Sequence, residues 1–170
     1  AARDFGPLLL LNGQLHSARD VRKTATEAIA TFQSPNDGPV GRATPTGPEF
    51  SVAPSAIRPA PGGGFDLAAL AAATLPRVVI IPAYGDADGS LVDALLALPA
   101  AQRPAGIVLS GVGNGNASAP LLASLERASR VGIVVVRASR TGRGLVNRNM
   151  EVNDDALGWI AARALSPQKA

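Results

Sequence analysis

From about Phe65 onward, apolar runs alternate with amphipathic stretches in a repeated order. Arg77–Pro82, Gly106–Leu109 and Val131–Val136 are continuous and rich in β-branched residues. Each is followed by helical spacing, at Gly89–Leu98, Leu121–Arg130 and Asp154–Leu165. Strands covered on both faces read as unbroken apolar runs, and their alternation with helices over short connections is the pattern of βαβ units. Right-handed crossovers then predict an α/β fold with a small doubly wound parallel sheet of the flavodoxin-like kind.

The preceding part is patterned differently. Leu8-Leu9-Leu10-Leu11 predicts a buried strand that turns at Asn12-Gly13. Thr24–Phe32 has helical spacing, with Ala28, Ile29 and Phe32 on one face, and stops before Ser34-Pro35-Asn36. Residues 44–64 are dense in Pro, Gly, Ser and Thr, end in Gly62-Gly63-Gly64 and show no apolar period. They are expected to be an interdomain linker, with at most an edge strand around Glu49–Val52.

Composition narrows the function classes. Of 170 residues, 46% are hydrophobic and 17% charged, enough apolar material for a core, and aromatics at 4% leave that core to Val, Leu, Ile and Ala. The net charge of +3 is spread without a run of Lys and Arg, and no aromatics interleave with cations, so nucleic acid is not an expected partner. No apolar stretch is long enough to span a bilayer, and the start does not read as a signal peptide. The chain opens Ala1-Ala2-Arg3 without Met, so a processed, trimmed or internal start is expected. The absence of cysteine excludes disulfides, thiolate metal sites and a cysteine nucleophile.

In parallel α/β sheets ligands sit at the carboxyl ends of the strands, which directs attention to the loops after Pro82, Leu109 and Val136. The second reads Ser110-Gly111-Val112-Gly113-Asn114-Gly115-Asn116 and leads through Ser118 into a helix. Its alternate glycines suit a close backbone approach or positive φ, and the helix N-terminus suits a carboxylate or phosphate. A tight turn with Asn116 or Ser118 as N-cap accounts for the same residues. A third reading is a dinucleotide fingerprint, with Arg137 and Arg140 holding an NADP-type 2′-phosphate, although Asn116 falls where that fingerprint needs Gly or Ala.

The loop after the third strand carries Glu151 just before Asn153-Asp154-Asp155, where Asn153 or Asp154 is the natural N-cap and Asp155 belongs to the first turn. Glu151 is the one acid there that capping does not explain, and on the residues alone it reads either as a solvated loop carboxylate or as a carboxylate gripping a ligand cation. An amide at Asn116, a helix terminus and Glu151 together would recognise both ends of an α-amino acid zwitterion. His16, beside Ser17, Arg19 and Asp20, is expected to be structural, since there is no G-x-S-x-G elbow and sequence neighbours do not converge as a triad. Asp86, Asp88 and Asp93 lack the spacing of a calcium loop, Asp88 is the expected helix cap, and no His or Cys cluster suggests a transition metal.

Three segments resemble the bacterial-type (class 1) L-asparaginases. They are Asn12–Thr24 continuing through Phe32–Gly41, then Gly111–Asn116, then Val135–Arg140 with Glu151–Asp155 and Pro167-Gln168-Lys169. They span nearly the whole chain in that family's order. The resemblance implies the end of an N-terminal α/β domain over residues 1–43, the linker over 44–64 and a C-terminal α/β domain over 65–170. It implies hydrolysis of L-asparagine, and in some members L-glutamine, to the acid and ammonia without a cofactor, in a bacterial protein of the cytoplasm or periplasm. It also implies a homo-oligomer, a tetramer built as a dimer of dimers. In that arrangement Glu151 binds the substrate α-ammonium in a neighbouring subunit's site, and Asn116 holds that carboxylate and the substrate in a hydrogen-bonded network. The family's nucleophilic threonine in T-G-G-T, and its Thr–Asp–Lys group, have no counterpart in this sequence. The chain is therefore expected to be inactive alone, supplying grip while a complementary N-terminal segment supplies attack.

Overall fold

A computed structural model describes residues 5–54 and 65–170. The chain forms two compact units, Ala1–Ala73 and Thr74–Ala170.

The first unit is built from hairpins. β1 (Leu8–Leu11) pairs antiparallel with β2 (Gln14–Ser17). Asn12 and Gly13 between them both take positive φ, 49° and 73°, the conformation whose twist matches a two-residue hairpin. The expected strand is thus present, but it is not buried: it lies at a sheet edge, and Leu10 is 56% exposed.

The predicted helix over Thr24–Phe32 does not form. β3 (Arg22–Lys23) and β4 (Phe32–Gln33) pair antiparallel across that segment instead. The Thr24 N–H donates to the Thr31 carbonyl at 2.8 Å, and the Thr31 hydroxyl donates to the Ala25 carbonyl. Thr24, Thr26, Ile29 and Thr31 are β-branched and stiff in a helix, and the hydroxyls compete for backbone groups. The apolar face that suggested the helix finds nothing to cover it, since Ala28 is exposed and Ile29 is 86% exposed.

β5 (Gly41–Thr44) joins β2 and turns into β6 (Gly47–Phe50), giving the order β1-β2-β5-β6. The anticipated edge strand is therefore found, starting two residues earlier at Gly47. Phe50 stacks on Phe5 with ring centroids 3.7 Å apart. The glycine-rich end of the expected linker, residues 55–64, lies outside the described residues. α1 (Leu67–Ala72), capped by Asp66, buries none of its own residues.

The second unit alternates β7 (Val78–Pro82), α2 (Ser90–Leu96), β8 (Gly106–Gly111), α3 (Ala119–Arg130), β9 (Val134–Ser139), α4 (Asp154–Leu157) and β10 (Ile160–Ala161). The four strands form one parallel sheet in the order β10-β9-β8-β7, so the α/β class is as expected. Successive side chains go to opposite faces. Ile107, Leu109 and Val135 pack with Val92 of α2 and with Leu121, Leu125 and Ala128 of α3. Val108 and Ala138 meet Ala162 beyond β10 on a second, smaller cluster. The last predicted helix is far shorter than the sequence suggested. Gly158 takes the left-handed conformation at φ 66°, which ends α4 after one turn, and the chain then enters β10.

Candidate functional site

β8 and β9 are adjacent and parallel, with Gly111 opposite Ser139, so their following loops leave the same edge side by side. The glycine loop closes on itself: Val112 and Asn116 exchange both backbone hydrogen bonds at 2.8 Å. Gly113 and Gly115 hold the positive φ that this tight return needs, 48° and 75°. Gly111 is required for space, because a Cβ there would lie 2.5 Å from the Gly115 carbonyl carbon. Close approach therefore occurs, but between two parts of the loop.

This return presents Asn116. Its Nδ2 donates to Glu151 Oε2 at 2.7 Å, while its Oδ1 accepts the Ala117 N–H at 2.8 Å. Asn116 is half-buried and Glu151 exposed. The two residues singled out from sequence, 35 positions apart, are in direct contact. Beside them Ser118 is the N-cap of α3, its Oγ accepting the Leu121 N–H at 3.3 Å, so the capping role falls to Ser118 rather than Asn116.

The loops are fastened from below by Arg137, which sequence reasoning had offered only as a phosphate ligand. It is fully buried and forms a two-pronged ion pair with the equally buried Asp154, Nε to Oδ1 at 2.6 Å and Nη2 to Oδ2 at 2.7 Å. Nη1 also donates to the carbonyls of Asn114 at 2.9 Å and Gly115 at 3.3 Å, and Nη2 to that of Asn147 at 3.2 Å. A guanidinium committed in this way has nothing left for a nucleotide phosphate. The available signal was a cation directly after Val134-Val135-Val136, since a charge inside an apolar strand demands a buried partner. Asp154 was the missed partner. Asn153 is the cap, its Oδ1 accepting from the Ala156 N–H at 3.1 Å. Burial pushes the Asp154 carboxyl up, but the Arg137 hydrogen bonds, the Asn149 N–H and the charges of Arg137 and Arg148 outweigh it and hold it below its ordinary value. Asp155 is lowered too, by hydrogen bonds from Asn149 and then Arg148.

The other candidates do structural work. His16 is buried with Nδ1 2.9 Å from Ser34 Oγ, and burial lowers its pKa against the opposing pull of Asp20. Asp20 accepts the N–H groups of Asn36 at 3.0 Å and Asp37 at 2.8 Å, which ties down a turn. Asp88 accepts the Ser90 N–H at 2.9 Å at the start of α2, and Asp93 pairs with Arg127 at 2.6 Å. Among the described residues no three His, Cys, Asp or Glu side chains gather as metal ligands, and no helix is long and apolar enough to cross a membrane.

Fold and site together define a parallel α/β domain with an amide–carboxylate pair at the carboxyl edge of its sheet. Residues 77–170 match the Glutaminase/Asparaginase C-terminal domain, and residues 1–56 match the N-terminal asparaginase domain. The chain belongs to the glutaminase/asparaginase family. It is 39% identical over 165 residues to the "Probable L-asparaginase periplasmic" of Haemophilus influenzae, an alignment covering 97% of this chain and 45% of that protein. It is 35% identical over 174 residues to "L-asparaginase 2" of Escherichia coli, covering 100% and 47%. It is 33% identical over 171 residues to the "Glutaminase-asparaginase" of Pseudomonas fluorescens biotype A, covering 99% and 45%. The chain thus spans about half the length of the relatives it matches.

Proposed function

We propose that this chain is the C-terminal part of an L-asparaginase, in which an amide and water become L-aspartate and ammonia, and that Asn116 and Glu151 grip the substrate. The observation that carries the reading is the 2.7 Å hydrogen bond from Asn116 Nδ2 to Glu151 Oε2 at the carboxyl edge of the parallel sheet. An exposed carboxylate oriented by an amide through one oxygen leaves the other oxygen to face a substrate ammonium. A charge-assisted hydrogen bond of that kind contributes about 1.5–3 kcal/mol. Asn116, itself held by the Ala117 N–H, would fix the direction of the carboxylate and reach the substrate in the same network.

The attacking threonine implied by the resemblance would come from a complementary N-terminal segment. The pair would complete the site of a neighbouring subunit in a homotetramer. The relatives' names include both asparaginases and glutaminase-asparaginases, so L-asparagine and L-glutamine are the substrates to assay.

The deciding measurement is ammonia release by the natural polypeptide that contains this chain, with either amide as substrate. No release from either would overturn the reading in favour of a binding module. The residue roles are tested by Glu151→Gln, which keeps the shape and removes the charge. The expected result is a KM raised on the order of ten- to a hundredfold. An unchanged KM removes Glu151 from the site.

A further inference from the structure

We propose that the buried Arg137–Asp154 ion pair is the positioning device of this site, clamping the glycine loop to the segment that bears Glu151. The proposal rests on the reading of Asn116 and Glu151 as the substrate grip, and it assigns the clamp to two fully buried residues outside that pair.

A fully buried ion pair is a poor way to add stability. Desolvation cancels much of its attraction, and apolar residues of similar volume often hold a fold equally well. Its use must therefore be sought in what else the two groups touch. Arg137 sits on β9 and spends its remaining donors on the carbonyls of Asn114, Gly115 and Asn147. None of those three residues lies in a strand or helix, so their carbonyls have no ladder to satisfy them. Asp154 Oδ2, besides taking Arg137 Nη2, accepts the Asn149 N–H at 2.9 Å. A second tie lies alongside, where Asn114 Oδ1 accepts the Asn147 N–H at 2.7 Å.

The consequence is positional. Glu151 stands between two anchored points, Asn149 and Asp154, and Asn116 directly follows the anchored Gly115. One planar guanidinium thus fixes both backbones from which the Asn116 and Glu151 side chains meet. A lysine could not do this, because a single ammonium cannot serve a carboxylate and three separate carbonyls in a fixed plane.

The test uses the natural full-length protein. In the double variant Arg137→Met/Asp154→Leu both charges leave together, so no unpaired ion is buried. The expected result is a folded protein whose KM for asparagine rises at least tenfold while kcat changes much less. Amide hydrogen exchange should accelerate in residues 112–116 and 147–151. A merely structural pair predicts the reverse, a lowered melting temperature with KM and loop exchange unmoved, and that result overturns the proposal. Should the double variant fail to fold, Arg137→Lys decides, since it keeps a cation beside Asp154 but gives up the fixed fork of donors to the Asn114, Gly115 and Asn147 carbonyls. Faster exchange in both loops and a raised KM support the clamp, and wild-type values for both sink it. If the parent protein releases no ammonia, the substrate reading falls, and the exchange measurement still judges the clamp.

Discussion

Gly111 shows how little freedom the glycine loop has. A methyl group added there would lie 2.5 Å from the Gly115 carbonyl carbon and 2.8 Å from the Asn116 carbonyl oxygen. Both contacts are with backbone, so the loop must open to admit it. Gly111→Ala is expected to cost about 1–3 kcal/mol, the usual range for overpacking a filled site. It should also displace Asn116 from Glu151 and, in the full-length asparaginase proposed above, raise KM. Urea unfolding and steady-state kinetics on the same variant check both parts, and an intact KM would mean that the loop's closure does not set the contact.

At this scale the sequence was readable where a residue had no local excuse. Glu151 preceded a cap without serving it, and Asn116 occupied a position that a nucleotide loop would have given to a smaller residue. Arg137 was not readable in the same way. Its partner lies 17 positions away and resembled a first-turn acid of the kind found at many helix starts. Only the folded chain, which sets Asp154 against Arg137 at 2.6 and 2.7 Å, reveals that these two charges neutralise one another.

Among the described helices, α3 buries the most side chains. Leu121, Leu125 and Ala128 are all buried on one face, at the four- and three-residue spacing of a helix stripe. Leu125→Ala is expected to destabilise the domain by about 2–5 kcal/mol, the range for emptying a buried leucine site. The exposed Glu126–Arg130 ion pair on the same helix should matter far less, about 0.3–0.5 kcal/mol. Denaturant unfolding of Leu125→Ala beside Glu126→Ala checks the ordering, and equal losses would contradict it. The strands and α3 were legible because β-branched runs and a long amphipathic period are strong signals. The segment over Thr24–Phe32 misled because three apolar residues met a helical spacing by chance, while its threonines favoured extended backbone. The last helix was overextended because Gly158 sits within an otherwise periodic stretch, and periodicity alone does not mark a left-handed cap.

For the molecule as a whole, the α/β class of the second unit was legible, whereas in the first only β1 with its Asn12-Gly13 turn and the edge strand β6 were, since the two-residue β3 and β4 leave too few positions to show a period. The two units also differ in how they should respond to acid. His16 in the first unit is buried, and its pKa lies below the ordinary 6.5, so the folded state prefers the neutral ring. Below that ordinary value the unfolded chain takes up a proton that the folded chain resists, and stability falls until the folded pKa is reached. Asp154 in the second unit is also lowered, but from 3.8, so its stabilisation is complete above that value and is lost only as pH falls through the folded pKa. Between about pH 7 and pH 5, amide protection should therefore weaken in β1 and β2 and hold in β8 and β9. Peptide-resolved hydrogen exchange across that range measures both units in one sample. His16→Asn, which keeps a hydrogen-bonding amide near Ser34 but cannot take up a proton, should flatten the response of the first unit. If the weakening persists unchanged in that variant, the acid sensitivity of the hairpins belongs to another group.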